Sequence, residues 1–272
     1  GCYNVLCPTY AVKWNEREGV GPDGTSNWSE RWAVMQDILT RASFDVVCLQ
    51  EVEQLDAESI AASLGAAEGP SAEYVARYFK HEKRPPDGVM IVVRRSAFED
   101  PVFSEMQYNG VAFGCADMRH RTSSCSVRVV TCHCRGGDEK QLAALSDFAA
   151  RSGGADVTVV AGDFNEDFGA PSESSGWRCP LQAEGEYATM LRGESLPELS
   201  RPPHKQAEDQ KSGKGKVDWI FVSARPAVGK AKLFRDDASH AAVLESHSPC
   251  EATSQWPSDH GAEALSVRLL RN

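Results

Sequence analysis

Apolar residues fall in short runs separated by polar or Gly- and Pro-rich stretches, a pattern that predicts many strands with a few interleaved helices. Cys2 to Cys7 reads as a buried strand ending at a Pro-Thr turn, and Asn15 to Asn27 as a loop. Trp28, Trp32, Met35 and Leu39 then recur at helical spacing through Ala42, with Ser29 as the N-cap. Asp45 to Leu49 is a compact strand with Glu51 just past its end, and a short helix, Asp56 to Leu64, follows. Tyr74 to Phe79 and Gly88 to Val93 read as strands joined by the basic connection Lys80 to Arg84. Val111 to Met118 and Ser126 to Cys134 read as a hairpin. A helix, Asp138 to Ala150, precedes the strand Val157 to Ala161, which delivers Asp163. Arg201 to Lys216 is polar, partly basic and reads as a mobile loop; Val217 to Val222, Lys230 to Phe234 and Ala264 to Leu270 supply later strands.

Helices alternate with strands, yet several strands follow one another as hairpins. That argues against one parallel doubly wound sheet and for two mixed sheets packed face to face with helices outside. No repeat or linker divides the chain, so residues 1–272 are expected to form a single domain.

An apolar content of 41% supports a substantial core. The net charge of -10 argues against a wide nonspecific nucleic-acid surface, but leaves room for a local basic groove beside an acidic metal site. Nine cysteines is an odd count without a ladder. Cys48 and Cys132 sit in strand-like runs, where a thiol packs as a small hydrophobe, and Cys132-His133-Cys134 lacks the second ligand pair of a zinc site. Reduced thiols are expected, hence an intracellular, reducing compartment: cytoplasm, nucleus or mitochondrion. No apolar stretch reaches the roughly 18 residues of a membrane span. A start at Gly1 rather than Met suggests a trimmed catalytic domain or a processed product.

Candidate chemistry lies at the edges of the apolar runs. Glu51, on a rigid strand end, suits a Mg2+ ligand, or is a surface residue closing the strand; Glu53 is expected to point away. Asp163 and Asn165 lie two apart in an extended turn. Asp163 could take a proton from an attacking water and Asn165 could donate to a phosphate oxygen, unless both merely bond their own backbone in an Asx turn. Asp259-His260 follows Pro257-Ser258 in a loop. A phosphate-binding His needs a carboxylate to hold its ring, and Asp218, alone at the head of an apolar run, is the candidate partner for His260. His133 ends another strand and could contact the same phosphate, or be structural. Asn4 could bond a phosphate or a metal-bound water.

In order, Asn4, Leu49-Gln50-Glu51, His133, Gly162-Asp163-Phe164-Asn165, Asp218-Trp219-Ile220-Phe221 and Ser258-Asp259-His260 resemble the endonuclease/exonuclease/phosphatase superfamily across nearly the whole chain. Tyr3-Asn4-Val5-Leu6, Tyr10-Ala11, Arg31-Trp32, Val52-Glu53 and Asp87-Gly88 look most like the carbon-catabolite-repressor-type deadenylases and nocturnin. The resemblance implies a four-layer α/β/β/α sandwich, with Glu51 as principal ligand of Mg2+ (or Mn2+) and Asn4 and Asp259 close to it. It implies Asp163 as the residue positioning water, Asn165, His133 and His260 on the phosphate, and Asp218 behind His260. Arg135, Lys80 and Phe168 are further candidates for substrate contact, Phe168 either stacking on a base or packing in its loop. Departures are Cys134-Arg135-Gly136-Gly137 after His133 and the unusual segment Glu184 to Lys216.

The implied activity is a 3′-to-5′ exoribonuclease on RNA tails such as poly(A). A phosphatase of small nucleotides such as NADP competes with it, since an acidic chain suits a compact ligand. A DNA-repair nuclease is weakened by Val52-Glu53, where abasic-site enzymes place Thr-Lys. A catalytically dead scaffold is the remaining alternative, against which every motif residue is intact.

Overall fold

The computed structural model describes residues 1–18, 28–66, 72–83, 86–151, 155–166, 168, 191–192, 194–195, 218–224 and 263–264. In chain order the first elements are β1 (Cys2–Asn4), α1 (Pro8–Glu18), α2 (Trp28–Ala42), β2 (Val46–Glu53), α3 (Ala57–Ser63), β3 (Tyr74–Lys80) and β4 (Asp87–Arg94). Next come β5 (Val102–Tyr108), β6 (Val111–Arg119), β7 (Ser126–His133), α4 (Glu139–Ala150) and β8 (Val157–Asp163). The short β9 (Leu191–Arg192) and β10 (Glu194–Ser195), then β11 (Asp218–Ala224) and β12 (Glu263–Ala264), complete the described elements.

Two mixed sheets result, with strand orders β10-β12-β1-β2-β4-β3 and β5-β6-β7-β8-β11-β9 among the described residues. Cys48, Val89, Ile91, Ala112, Val129 and Ala161 point between them and form the central core. On the outer face of the first sheet, Trp32, Met35 and Leu39 of α2 and Ile60 of α3 pack on Leu49, Met90 and Val92. On the outer face of the second, Leu145 and Phe148 of α4 pack with Val130, Val160 and Phe221. Each sheet is thus apolar on both faces, and helices cover the outer ones: an α/β/β/α sandwich.

Where the sheets face each other they come close at Gly114. A Cβ there would fall on the Phe79 ring, so β6 presents a bare backbone to the side chain projecting from β3. Gly162 is a tighter case, because its Cβ would fall on the carbonyl oxygen of Cys132 in the neighbouring β7. Gly162→Ala should push β8 away from β7 and destabilise the protein by about 1–3 kcal/mol, which thermal or denaturant unfolding would measure. An unchanged midpoint would refute this account of the β7–β8 contact.

Strand direction explains where the polar residues collect. β1 and β2 run parallel (Asn4↔Gln50) and β4 antiparallel (Glu53↔Asp87), so Asn4, Glu51 and Asp87 meet at one end of the first sheet. In the second, β7 and β8 run parallel and β11 antiparallel, and the register sets His133, Asp163 and Asp218 side by side. A hydrogen bond from Asn4 to Asp163 shows that these two ends are the same end of the molecule.

Several expectations are corrected. The first strand stops at Asn4, not Cys7, because the Asn4 Oδ1 accepts from the Leu6 amide and Leu6 turns to a φ of +50°. Pro8, which lacks an N–H, then opens α1, so Asn15 to Glu18 are helical rather than loop. Helix α2 begins at Trp28, which places Ser29 inside its first turn rather than at the cap. β2 runs through to Glu53, with Glu51 inside it at a bulge rather than past its end. Strand β5 was not expected; it is a sheet edge with Val102 exposed, so its apolar positions do not alternate cleanly. Lys230 to Phe234 lies outside the described residues, as does most of Ala264 to Leu270. Among the described residues no helix is long and apolar enough to cross a membrane, and each cysteine is a buried free thiol.

Candidate functional site

Glu51 is aimed inward by its bulge. The register slips between Gln50 and Val52, and Glu51 takes a φ of +56°, a conformation that costs a non-glycine residue roughly 1–3 kcal/mol and persists where surrounding contacts hold it. Those contacts are explicit: its Oε1 accepts from the Asn4 Nδ2 at 3.0 Å and its Oε2 from the Cys7 amide at 3.3 Å. Glu53, expected to point away, accepts from the Thr9 amide at 2.7 Å, at the N-terminal end of α1. Negative charge is favoured there by the helix dipole and the orphan amides. Arg31 steadies the same turn, donating from Nη1 to the Val5 carbonyl at 3.1 Å and from Nη2 to that of Leu6 at 2.8 Å.

Asn4 ties the two sheets together. Besides Glu51, its Nδ2 donates to the Asp163 Oδ2 at 3.0 Å, and its Oδ1 is taken by the Leu6 amide at 2.9 Å. In this arrangement Asn4 presents its amide hydrogens, not its oxygen, to the carboxylates. Asp163 divides its oxygens likewise, Oδ1 accepting from the Asn165 amide at 2.8 Å while Oδ2 faces Asn4. The Asx turn weighed as an alternative for Asp163 therefore coexists with an inward-facing oxygen. Asn165 is exposed, with a φ of +51°, and its Nδ2 donates to the Cys134 carbonyl at 3.0 Å.

His133 stands between two carboxylate sets. Its Nε2 lies 3.6 Å from the Asp163 Oδ2 and 3.9 Å from the Glu51 Oε1, while its Nδ1 lies 3.7 Å from the Asp87 Oδ2. Asp87 also accepts from the Tyr10 hydroxyl at 2.9 Å, and the His81 Nε2 lies 3.9 Å from its Oδ2. Burial pushes the Asp87 carboxyl up, but the hydrogen bond and charge of His133, then His81 and the Tyr10 hydroxyl, outweigh it and hold the group below the usual carboxylate range. Burial, and next the nearby Glu51 charge, push the Cys7 thiol far up and keep it neutral.

Two overlapping groups have ligand atoms within 4.8 Å of one another: Glu51, His133 and Asp163, and His81, Asp87 and His133. By residue type and spacing alone, both could chelate a divalent metal. The first fits one on chemical grounds, since two buried carboxylates converge on a single neutral amide, an oxygen-rich donor set whose charge a cation balances.

Of the other candidates, Asp218 is buried at the head of β11 opposite Asp163. Asp259 and His260 lie outside the described residues. Arg135 is exposed just beyond β7, and Lys80 is exposed at the end of β3. The Phe168 ring packs with Phe164, Trp219 and Phe221, at centroid distances of 5.6, 5.6 and 6.0 Å. Asp87 entered from sequence only through the Asp87-Gly88 resemblance, without a site role, and His81 not at all. Asp87 carried a usable signal, an Asp heading an apolar run as Asp218 does, whereas His81 sits in a polar connection with nothing to mark it.

A family profile described as Endonuclease/Exonuclease/phosphatase matches residues 3–260. An endonuclease/exonuclease/phosphatase from Bacteroides vulgatus superposes with a TM-score of 0.63 at 16% identity, covering 99% of this chain and 97% of that one. ANGEL2, a 2′,3′-cyclic phosphatase, gives 0.52 at 18% identity over 86% and 84% of the two chains. The human nocturnin catalytic domain with bound sulfate gives 0.52 at 17% over 97% and 92%. At such identities the likeness speaks for the fold. No curated protein sequence matches significantly.

Proposed function

Because the chain belongs to the endonuclease/exonuclease/phosphatase family, we propose that it is a metal-dependent phosphodiesterase, a 3′-to-5′ exoribonuclease acting on RNA tails, poly(A) first among them. The observation that carries the hydrolytic reading is the meeting of Glu51, His133 and Asp163, delivered by three strands of two sheets, with ligand atoms within 4.8 Å. Rigid strand ends suit a reaction in which positioning and charge stabilisation supply most of the rate. The deadenylase assignment rests on the Tyr3-Asn4-Val5-Leu6, Arg31-Trp32 and Asp87-Gly88 resemblance, with residues 1–272 taken as one catalytic domain in a reducing compartment.

Glu51 and Asp163, with Asp259 from outside the described residues, would hold Mg2+ or Mn2+. When bound, such an ion neutralises charge developing on the phosphoryl oxygens and acidifies water. Asn4 keeps the two carboxylates facing each other by donating to both. Asp163 positions the attacking water, while its Oδ1 remains bound to the Asn165 amide and fixes the carboxylate plane. The His133 Nε2, Asn165 and His260, the last oriented by Asp218, donate to the equatorial phosphate oxygens. Arg135 and Lys80 contact the substrate backbone, and Phe168 supports the aromatic wall below β8.

The second reading is a phosphatase of small nucleotides. It draws on the net charge of -10 and on the likeness to a 2′,3′-cyclic phosphatase. One panel separates the two: 3′-labelled and 5′-labelled poly(A), the other RNA homopolymers, single-stranded DNA, a 2′,3′-cyclic nucleotide and NADP, each with Mg2+. Stepwise shortening of 5′-labelled poly(A) from its 3′ end is expected. Phosphate release from NADP or cyclic-ester opening, with poly(A) intact, would replace the nuclease reading; hydrolysis of none would leave the scaffold.

A further inference from the structure

We propose that His81 is a positioning residue for this site, acting through Asp87 to orient the His133 ring so that its Nδ1 faces Asp87 and its Nε2 turns toward Glu51 and Asp163; the assignment of a role to His133 rests on the reading above. His81 follows β3 directly, and its ring is wholly buried even though the connection it opens continues with Glu82 and Lys83. Its own amide donates to the Asp87 carbonyl at 3.3 Å, which fixes the backbone of the turn. From the opposite sheet, the Ala112 amide donates to its Nδ1 at 2.9 Å.

That bond settles the tautomer. A backbone N–H can only donate, so the His81 Nδ1 offers a lone pair and the ring proton sits on Nε2. Nε2 is the atom that faces the Asp87 Oδ2, at 3.9 Å. The same oxygen faces the His133 Nδ1 at 3.7 Å, and the other carboxylate oxygen is taken by the Tyr10 hydroxyl. An ionised carboxylate accepts only, so the His81 Nε2 and the His133 Nδ1 face it as donors, at separations longer than a hydrogen bond; the same rule makes the His133 Nε2, turned toward Glu51 and Asp163, a donor as well. The order Ala112, His81, Asp87, His133 is therefore one hydrogen bond followed by two longer donor-to-acceptor contacts, running from β6 to the carboxylates of the site. The long separations are of the kind that close up when a site engages its ligand.

The same bond decides between this arrangement and a second metal ion held by His81, Asp87 and His133. A metal-bound imidazole donates its other N–H, which fixes the ring and keeps the ligating nitrogen's lone pair free. Here the other nitrogen accepts instead. Binding a cation through Nε2 would require His81 to lose its only ring proton and become an imidazolate, at great cost. The geometry assigns this cluster to hydrogen bonding and leaves the ion to Glu51 and Asp163.

The test is long-range 15N–1H NMR of the full chain with labelled histidine, on the wild type, His81→Phe and His81→Gln. Gln offers an acceptor and a donor at about the separation of the two ring nitrogens, whereas Phe fills the space with neither. Wild type should show a pyridine-type Nδ1 on His81 and a proton-bearing Nδ1 on His133. In His81→Phe the His133 nitrogens should shift, and kcat should fall roughly tenfold with KM little changed; His81→Gln should restore both. Added Zn2+ should leave the His81 resonances in place. A proton on the His81 Nδ1, direct Zn2+ ligation at His81, or His133 signals indifferent to His81→Phe would each overturn the proposal. Should the Phe variant fail to fold, the wild-type tautomers and the Gln variant still decide. Because the nitrogen shifts do not depend on turnover, a wrong substrate class would leave this result standing.

Discussion

Glu51→Gln is expected to cut turnover by at least roughly 100-fold without unfolding the protein. The substitution keeps the length and planarity of the side chain and one oxygen, which can still accept from the Cys7 amide. It removes the charge that a cation needs and turns an NH2 group toward the Asn4 amide or the Cys7 N–H, where donors would oppose donors. Its effect on the metal-free fold runs the other way. The facing oxygens of Glu51 and Asp163 lie within 4.8 Å, a separation at which like charges repel by about 3 kcal/mol at an effective dielectric of 20. Relieving that repulsion offsets the strained hydrogen bond, so in chelator the variant's unfolding midpoint should equal or exceed that of the wild type. Turnover of a generic phosphodiester and thermal melts in chelator check both halves. Near-normal turnover would remove Glu51 from the site.

The second large effect is that of the cation itself. Hydrolysis should vanish on chelation and return with Mg2+ or Mn2+. Saturating the wild type at about 100 times its dissociation constant should add about 2.7 kcal/mol of stability, a rise in midpoint of roughly 5–10 °C for a chain of this size. The rise should be absent in Glu51→Gln, which loses the charged donor. A wild-type midpoint insensitive to divalent ions, together with activity that survives chelation, would rule out the metal-dependent reading.

The central strands and two of the helices were legible because their apolar residues obey a period. α2 and α4 show the helical repeat, while β2, β4, β7 and β8 are continuous buried runs, as strands covered on both faces must be. Glu51, His133 and Asp163 stood out as polar groups at the ends of such runs, and the structure brings them together. What escaped was everything set by contacts distant in sequence. The bulge at Glu51 depends on Asn4 and the Cys7 amide, which capture its two oxygens, and local composition encodes neither. The helical start of α1 depends on Asn4 ending its strand through its own side chain. His81 is meaningful only because Ala112, on the other sheet, reaches its ring. Edge strand β5 lacks the burial that makes a strand readable.

The bond from Asn4 to both Glu51 and Asp163 makes this short side chain a gauge of the gap between the two layers. Remote packing changes at the mid-sandwich contact of Phe79 with Gly114 would therefore be transmitted as altered reactivity. A Gly114→Ala change, which touches no polar group, would pry the layers apart and loosen the grip on the scissile bond. Catalytic competence in this architecture is thus hostage to sub-ångström thickness, and variants bred for rigidity in the interior should be screened for rate as well as for melting point.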